Sequence, residues 1–206
     1  MKLLVLVPLV FALDSTKHLT LIGVHASAVI YNGRRAVRLT DAGDSGGLAL
    51  VDGVEFRSGT IELQVAATVA PGADTSIRGF VGIVFRSDST GQRYENIYLR
   101  MTNGRADDQL RRNHSAQYAA IPDAPWYTLR EESPGRYESY VDLEPGQWTT
   151  MRIVVHGTRA QLFVNHASQP CLIVNDLRHG DGSGRIGLMV ADGTVAYFSR
   201  LVVTTE

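Results

Sequence analysis

Residues 148–165 read Trp148-Thr149-Thr150-Met151-Arg152-Ile153-Val154-Val155-His156-Gly157-Thr158-Arg159-Ala160-Gln161-Leu162-Phe163-Val164-Asn165. In an extended chain successive side chains point to opposite faces. Met151, Ile153 and Val155 then share one face, with Arg152, Val154 and His156 on the other. After the turn at Gly157-Thr158-Arg159, Leu162 and Val164 share a face opposite Gln161, Phe163 and Asn165. Two runs of period two around a glycine turn predict a β-hairpin with one face in a core and the other partly covered.

The same pattern extends outward in both directions. Asn32-Gly33 lies between Ser27–Tyr31 and Arg34–Leu39, and Asp52-Gly53 between Gly47–Val51 and Val54–Arg57. Each pair tolerates positive φ and predicts a hairpin. Thr60-Ile61-Glu62-Leu63-Gln64-Val65 alternates strictly, as a half-buried strand does. Further strands are expected at 79–87, 94–101, 115–119, 138–143, 171–175, 184–190 and 194–204. About a dozen strands, with turn signals roughly every 8–12 residues, predict one all-β domain over residues 1–206, a two-sheet antiparallel β-sandwich of the jelly-roll kind. The polar segment 106–132 has no clear period and reads as one or two long loops of the kind that carry function.

Composition narrows the function classes. The chain has 206 residues, 44% hydrophobic and 20% charged, with net charge −1. Nothing in that balance draws the whole surface to nucleic acid or to an anionic membrane. The only lysines are Lys2 and Lys17, so the positive charge is nearly all arginine. Its planar fork suits carboxylates and sugar hydroxyls. Cys171 is the only cysteine and sits in the apolar run Pro170–Val174, which predicts a buried, inert thiol and no disulfide within the chain. Residues 1–12 read either as a short signal-like segment or as a first buried strand, and are too short to span a bilayer. A cytoplasmic location is favoured slightly over a secreted or periplasmic one.

Gly146-Gln147-Trp148, Ala160-Gln161-Leu162-Phe163-Val164-Asn165, Gly184-Arg185-Ile186-Gly187-Leu188 and Ala196-Tyr197-Phe198-Ser199 carry a family resemblance. From about residue 55 onward the chain resembles the laminin-G/concanavalin A-like superfamily, and most closely bacterial 3-keto-disaccharide hydrolase-type domains. That resemblance implies a jelly roll whose concave sheet binds ligand. It specifies fold more than activity, because the superfamily includes lectins, glycosidases, lyases and inert modules. His166 departs from the pattern, standing where the family usually has glycine after Val-Asn.

The candidate site lies between Arg86 and Tyr140. Tyr94, Asn96, Tyr98 and Arg100 share one strand face, while Ile97, Leu99 and Met101 face the core. Arg86 could join the polar face from a neighbouring strand. Asn103, Arg111, Gln117, Tyr118, Trp126 and Tyr137 extend the ligand-binding set: aromatics to stack on sugar rings, amides and guanidinium groups to grip hydroxyls. Asp107 or Asp108 with His114 is the candidate acid–base pair, since histidine titrates near neutrality. Glu138, Asp142 and Glu144 echo a glucanase motif, but Tyr140 stands where that motif needs aspartate, so they receive no role.

No metal site is assigned. Asp41–Ser45 and Gly180–Gly184 are acidic turns that would admit Ca²⁺, though plain turns suffice. Gly43-Asp44-Ser45-Gly46-Gly47 imitates a serine-protease nucleophile without enough chain upstream for its partners. The expected function is a carbohydrate-active enzyme acting on a glycoside or an oxidised sugar. The alternatives are a non-catalytic carbohydrate-binding module and an enzyme on a carboxylated small molecule. A homodimer is admitted but not required.

Overall fold

The computed structural model describes residues 8–43 and 45–206. The strands are β1 (Leu9–Phe11), β2 (Leu19–Ile22), β3 (Val24–Tyr31), β4 (Arg34–Asp41), β5 (Gly47–Phe56), β6 (Gly59–Val69), β7 (Phe80–Ser87), β8 (Tyr94–Arg100), β9 (Ala116–Ile121), β10 (Glu138–Ser139), β11 (Thr149–His156), β12 (Arg159–Val164), β13 (Leu172–Val174), β14 (Gly184–Val190) and β15 (Thr194–Thr205). Two short helices, α1 (Gln109–Asn113) and α2 (Trp126–Glu132), flank β9. One sheet runs β13-β12-β11-β6-β15-β4-β3, with β1 on β15; the other runs β10-β9-β8-β7-β14-β5-β2. All pairings are antiparallel. The expected two-sheet sandwich is the observed one.

The alternating residues supply the core. Ile61, Leu63 and Val65 of β6 and Met151, Ile153 and Val155 of β11 are all buried, facing Ile83, Phe85, Ile97 and Leu99 of the other sheet. The 148–165 stretch forms the expected hairpin, Met151 opposite Val164 and His156 opposite Arg159. Asn32 and Gly33, both at positive φ, close the β3–β4 hairpin. Asn165 and His166 also have φ of 49° and 61°, and Ala167 N donates to Val164 O at 3.1 Å. That is a turn with two left-handed residues, which explains why glycine suits the position that His166 holds.

Three expectations need correction. Asp52-Gly53 is not a hairpin. Residues on both sides of it pair with the same strand, β14, across a register shift, so Gly53 at positive φ serves a bulge inside β5. Segment 106–132 is not simply loop. It holds α1, β9 and α2, and helices of five and seven residues are too short to show a 3.6-residue period. The strand expected at 138–143 stops at Ser139. At the amino end β1 is a short, mostly exposed strand, with Leu13 buried behind it. Residues 1–7 of the signal-like segment and Asp44 of the acidic turn lie outside the described residues. No helix among the described residues is long and apolar enough to cross a membrane.

Candidate functional site

The site is built on the outer face of β7–β10, by register. Tyr98 is opposite Gln117, which is opposite Glu138, so three strands bring one row of polar groups together. Phe80 is opposite Arg100, one row further along. The link from β8 to β9 carries α1, and that from β9 to β10 carries α2. Asp108 caps α1, its Oδ1 accepting from Arg111 N at 2.6 Å. His114 ends α1.

At the centre is Glu138, whose side chain is only 3% exposed. Arg130 of α2 grips it with two bonds, Nε to Oε1 at 3.0 Å and Nη2 to Oε2 at 2.6 Å. Arg100 Nη1 lies 3.7 Å from Oε2, and His114 Nε2 lies 3.3 Å from Oε1. Two guanidinium groups therefore hold one buried carboxylate against an imidazole. The backbone of His114 is fixed as well: its carbonyl accepts from Arg100 Nη1 at 2.9 Å and Asn103 Nδ2 at 3.1 Å. Asn103 is steadied by Arg111 Nε at 3.0 Å. Arg100 also reaches the Tyr98 hydroxyl and Gln117 Oε1, at 3.3 and 3.2 Å.

Electrostatics set the protonation states. Burial, chiefly, holds the His114 imidazole below its ordinary value; Glu138 opposes this, while Arg130 and Arg100 reinforce it. His114 is therefore neutral at neutral pH. Burial pushes the Tyr98 hydroxyl up to about 12, so it stays protonated. Leu110, His114 and Arg130 line both of two adjoining cavities, of about 480 and 460 Å³. The first is also lined by Phe80, Arg100, Trp126, Arg78 and Arg111. Trp126 is 40% exposed, and its ring centre lies 4.7 Å from the Arg130 guanidinium carbon and 5.6 Å from that of Arg100. The second cavity ends at Tyr140, whose hydroxyl accepts from Arg112 at 3.1 Å.

Of the residues expected from sequence, the structure brings Tyr98, Arg100, Asn103, Arg111, His114, Gln117 and Trp126 into this cluster, with Asp108 on the rim of the first cavity. Asp107 is exposed and lines neither cavity. Tyr118 and Tyr137 are corrections: both lie between the sheets. The Tyr118 hydroxyl donates to Glu95 Oε2 at 2.5 Å, and that of Tyr137 to Asp176 Oδ2 at 2.7 Å. Arg86 is another. Its guanidinium is buried at one end of the sandwich and donates to the carbonyls of Arg57, Gly157 and Gly180. Asn96 shares the outer face of β8 but is buried. Tyr94 does too, and packs with Leu48, Leu50 and Val84 around a separate depression.

Sequence reading missed Glu138 and Arg78 as site residues, and Arg130 stood in the polar stretch without a specific role. Glu138 faces outward because its neighbour Tyr137, expected at the site, turns into the core instead. Asp142 and Glu144 instead pair with Arg105 at the surface. Asp181, of the second acidic turn, pairs with Arg57 and Arg86. Cys171 is half-buried, and burial pushes its thiol up to about 11.

A family model described as a 3-keto-alpha-glucoside-1,2-lyase-like domain matches residues 39–203. No curated protein matches the chain. Among solved structures, the carbohydrate binding module CBM66 from Bacillus subtilis superposes with a TM-score of 0.62 at 13% identity, covering 88% of this chain and 92% of that one. A protein of unknown function with a galectin-like fold, also from Bacillus subtilis, gives 0.63 at 12% identity over 96% and 94%. The Ca²⁺/Man-bound exoplasmic/lumenal domain of VIP36 gives 0.55 at 13% identity over 87% and 81%. These identities speak for a shared galectin-like sandwich. The family match spans most of the chain and includes every residue of the Glu138 cluster, so the protein belongs to the 3-keto-alpha-glucoside-1,2-lyase-like domain family.

Proposed function

We propose that the chain binds a glucoside already oxidised at C3 and cleaves it by elimination across C1 and C2, with His114 as the base. The observation that carries this is the neutral His114 held against the buried Glu138 at the junction of the two cavities. The family description supplies the substrate class.

The chemistry follows from the groups present. A hydrogen on C2 is acidified by the neighbouring C3 carbonyl. With its own proton on Nε2 toward Glu138, His114 offers Nδ1 as the proton acceptor. It takes the C2 proton, and the C2–H electron pair moves toward the carbonyl. Arg100 and Arg130 outnumber Glu138 by one positive charge beside His114, and that field favours the enolate as it forms. The pair then closes the C1–C2 double bond, and the C1–O bond breaks. The departing oxygen leaves with the bonding electrons and takes a proton from the imidazolium or from water. No oxidant or reductant enters. Glu138 is a positioning residue: both of its oxygens are engaged by Arg130, which leaves it poorly placed to remove a proton itself. Trp126 and Phe80 give the sugar ring apolar surfaces to lie on.

Sugar binding without turnover is the second reading, supported by the likeness to a carbohydrate binding module. Turnover of a methyl 3-oxo-α-glucoside separates the two. His114→Asn should lower kcat by about 10²–10⁴-fold, the usual contribution of a general base. Binding of that glycoside without any product in the wild type would establish the second reading and reject the first.

A further inference from the structure

The first cavity is lined by four guanidinium groups, those of Arg78, Arg100, Arg111 and Arg130. Glu138 pairs with both Arg100 and Arg130 and offsets one of their two charges. Asp108, on the rim, spends Oδ1 on the backbone N–H of Arg111. Among the described residues, neither the Arg78 nor the Arg111 side chain has a carboxylate oxygen within 4.0 Å. Both are nevertheless fixed in place by neutral acceptors. Arg78 Nη1 donates to Thr75 O at 2.5 Å and Ile77 O at 3.3 Å. Arg111 donates to Asn103 Oδ1 at 3.0 Å, Thr102 Oγ1 at 2.9 Å and Thr102 O at 3.2 Å. Thr102 in turn donates from N and Oγ1 to Arg78 O, at 3.1 and 3.3 Å, so one residue anchors both arginines.

Two half-buried cations held side by side repel. Burial first, and then the nearby Arg111 and Arg100, hold Arg78 below its ordinary value, with Asp74 opposing them from beyond ion-pair distance. A protein that only needed to shape this wall could do so with neutral side chains. A guanidinium held by carbonyls on one side keeps free N–H groups on the other, in the planar fork that oxyanions accept.

We propose that Arg78 and Arg111 form an oxyanion subsite, so that the ligand of this cavity is an acidic sugar carrying a carboxylate or a phosphate. This rests on the elimination reading for its sugar, but the subsite stands on its own geometry. A cavity of about 480 Å³ has room for a sugar ring beside Trp126 with its charged substituent at the Arg78–Arg111 end.

The test compares three substrates on the full chain: methyl 3-oxo-α-glucoside, its 6-phosphate and the corresponding 3-oxo-glucosiduronate. The wild type should prefer at least one acidic form by about tenfold or more in kcat/KM, as charge-assisted hydrogen bonds imply. That preference should shrink as salt is raised. It should fall to within about threefold in both Arg78→Gln and Arg111→Gln. Arg111 also steadies Asn103, and Arg78→Gln keeps the test decisive if the other variant unfolds. The better acidic form identifies the oxyanion. If the wild type turns over the neutral sugar as well as both acidic ones, the subsite is refuted while the elimination stands. If nothing is turned over, calorimetry with glucuronate, glucose 6-phosphate and glucose decides. Tighter binding of an acidic sugar, lost in the variants, upholds the subsite and rejects the elimination. Equal or absent binding rejects both.

Discussion

Replacing Glu138 with Gln keeps the shape of the central side chain and removes its charge. Arg100, with a side chain 5% exposed, then loses its counter-charge in a place water barely reaches. Breaking a buried ion pair from one side costs about 3–5 kcal/mol. The lower end applies here, because the glutamine oxygen still accepts a hydrogen bond and Arg130, 32% exposed, regains water. A loss of about 3 kcal/mol in a chain of 206 residues lowers Tm by roughly 6–12 °C. The same change acts on His114. Glu138 is the larger of two carboxylates that raise its affinity for a proton, Asp108 being the other, and Arg130 and Arg100 oppose them, so its titration should move further below 6.5. Urea unfolding reads the first effect, and proton NMR of the His114 ring reads the second. Glu144→Gln is the control: Glu144 pairs with Arg105 at the surface, where an ion pair contributes about 1 kcal/mol or less. A Glu138→Gln variant no less stable than the control, or with His114 titrating higher than in the wild type, would show that Glu138 does not hold the cluster together.

Arg86→Met leaves the carbonyls of Arg57, Gly157 and Gly180 without their buried donor and should cost about 3–5 kcal/mol by urea unfolding; a loss under about 1 kcal/mol would refute its role as a bolt between the sheets. His166→Gly removes a left-handed side chain and should raise stability by up to about 1 kcal/mol in the same assay, where a loss would speak against the two-residue turn. Gly82→Ala puts a methyl group 2.5 Å from Tyr98 Cβ and should cost about 1–3 kcal/mol while raising KM, since Tyr98 bonds Arg100; an unchanged protein would contradict the packing. His114 and His179 are both held below 6.5, chiefly by burial, so the folded chain binds fewer protons than the unfolded one between those lowered values and 6.5. Stability therefore rises with pH through that window and is lost as pH falls, by up to about 1.4 kcal/mol per pH unit for each. His179→Asn should flatten the curve, and an identical pH profile in the two proteins would refute the assignment.

The sandwich is legible in the sequence wherever local pattern and long-range pairing agree. Ile61, Leu63 and Val65 alternate because their strand buries one face, and Asn32-Gly33 turns because both residues accept positive φ. Asp52-Gly53 carries the same local chemistry, yet its flanks continue along one partner strand, and only the pairing distinguishes a bulge from a hairpin. The site was legible in part. The face shared by Tyr98 and Arg100 follows from period two alone. Gln117 and Tyr118 are neighbours on a strand and cannot both reach that face; burial sends the tyrosine inward to Glu95. Glu138 meets Tyr98 only through β9, across a register that no local signal fixes. Arg86 and Arg100 look alike in sequence, and what separates them is which end of the sandwich their strands reach.

Proton abstraction from C2 by His114 is tested most directly in D₂O, with methyl 3-oxo-α-glucoside as substrate and NMR as the readout. Wild-type protein should release methanol and form a C1–C2 unsaturated ketone, and substrate recovered early should carry deuterium at C2 wherever abstraction reverses before cleavage. The His114→Asn variant, shown folded by its Tm, should do neither at a comparable rate. Product formation by that variant at the wild-type rate, or hydrolysis to an intact 3-oxo sugar with hydrogen retained at C2, would contradict the elimination.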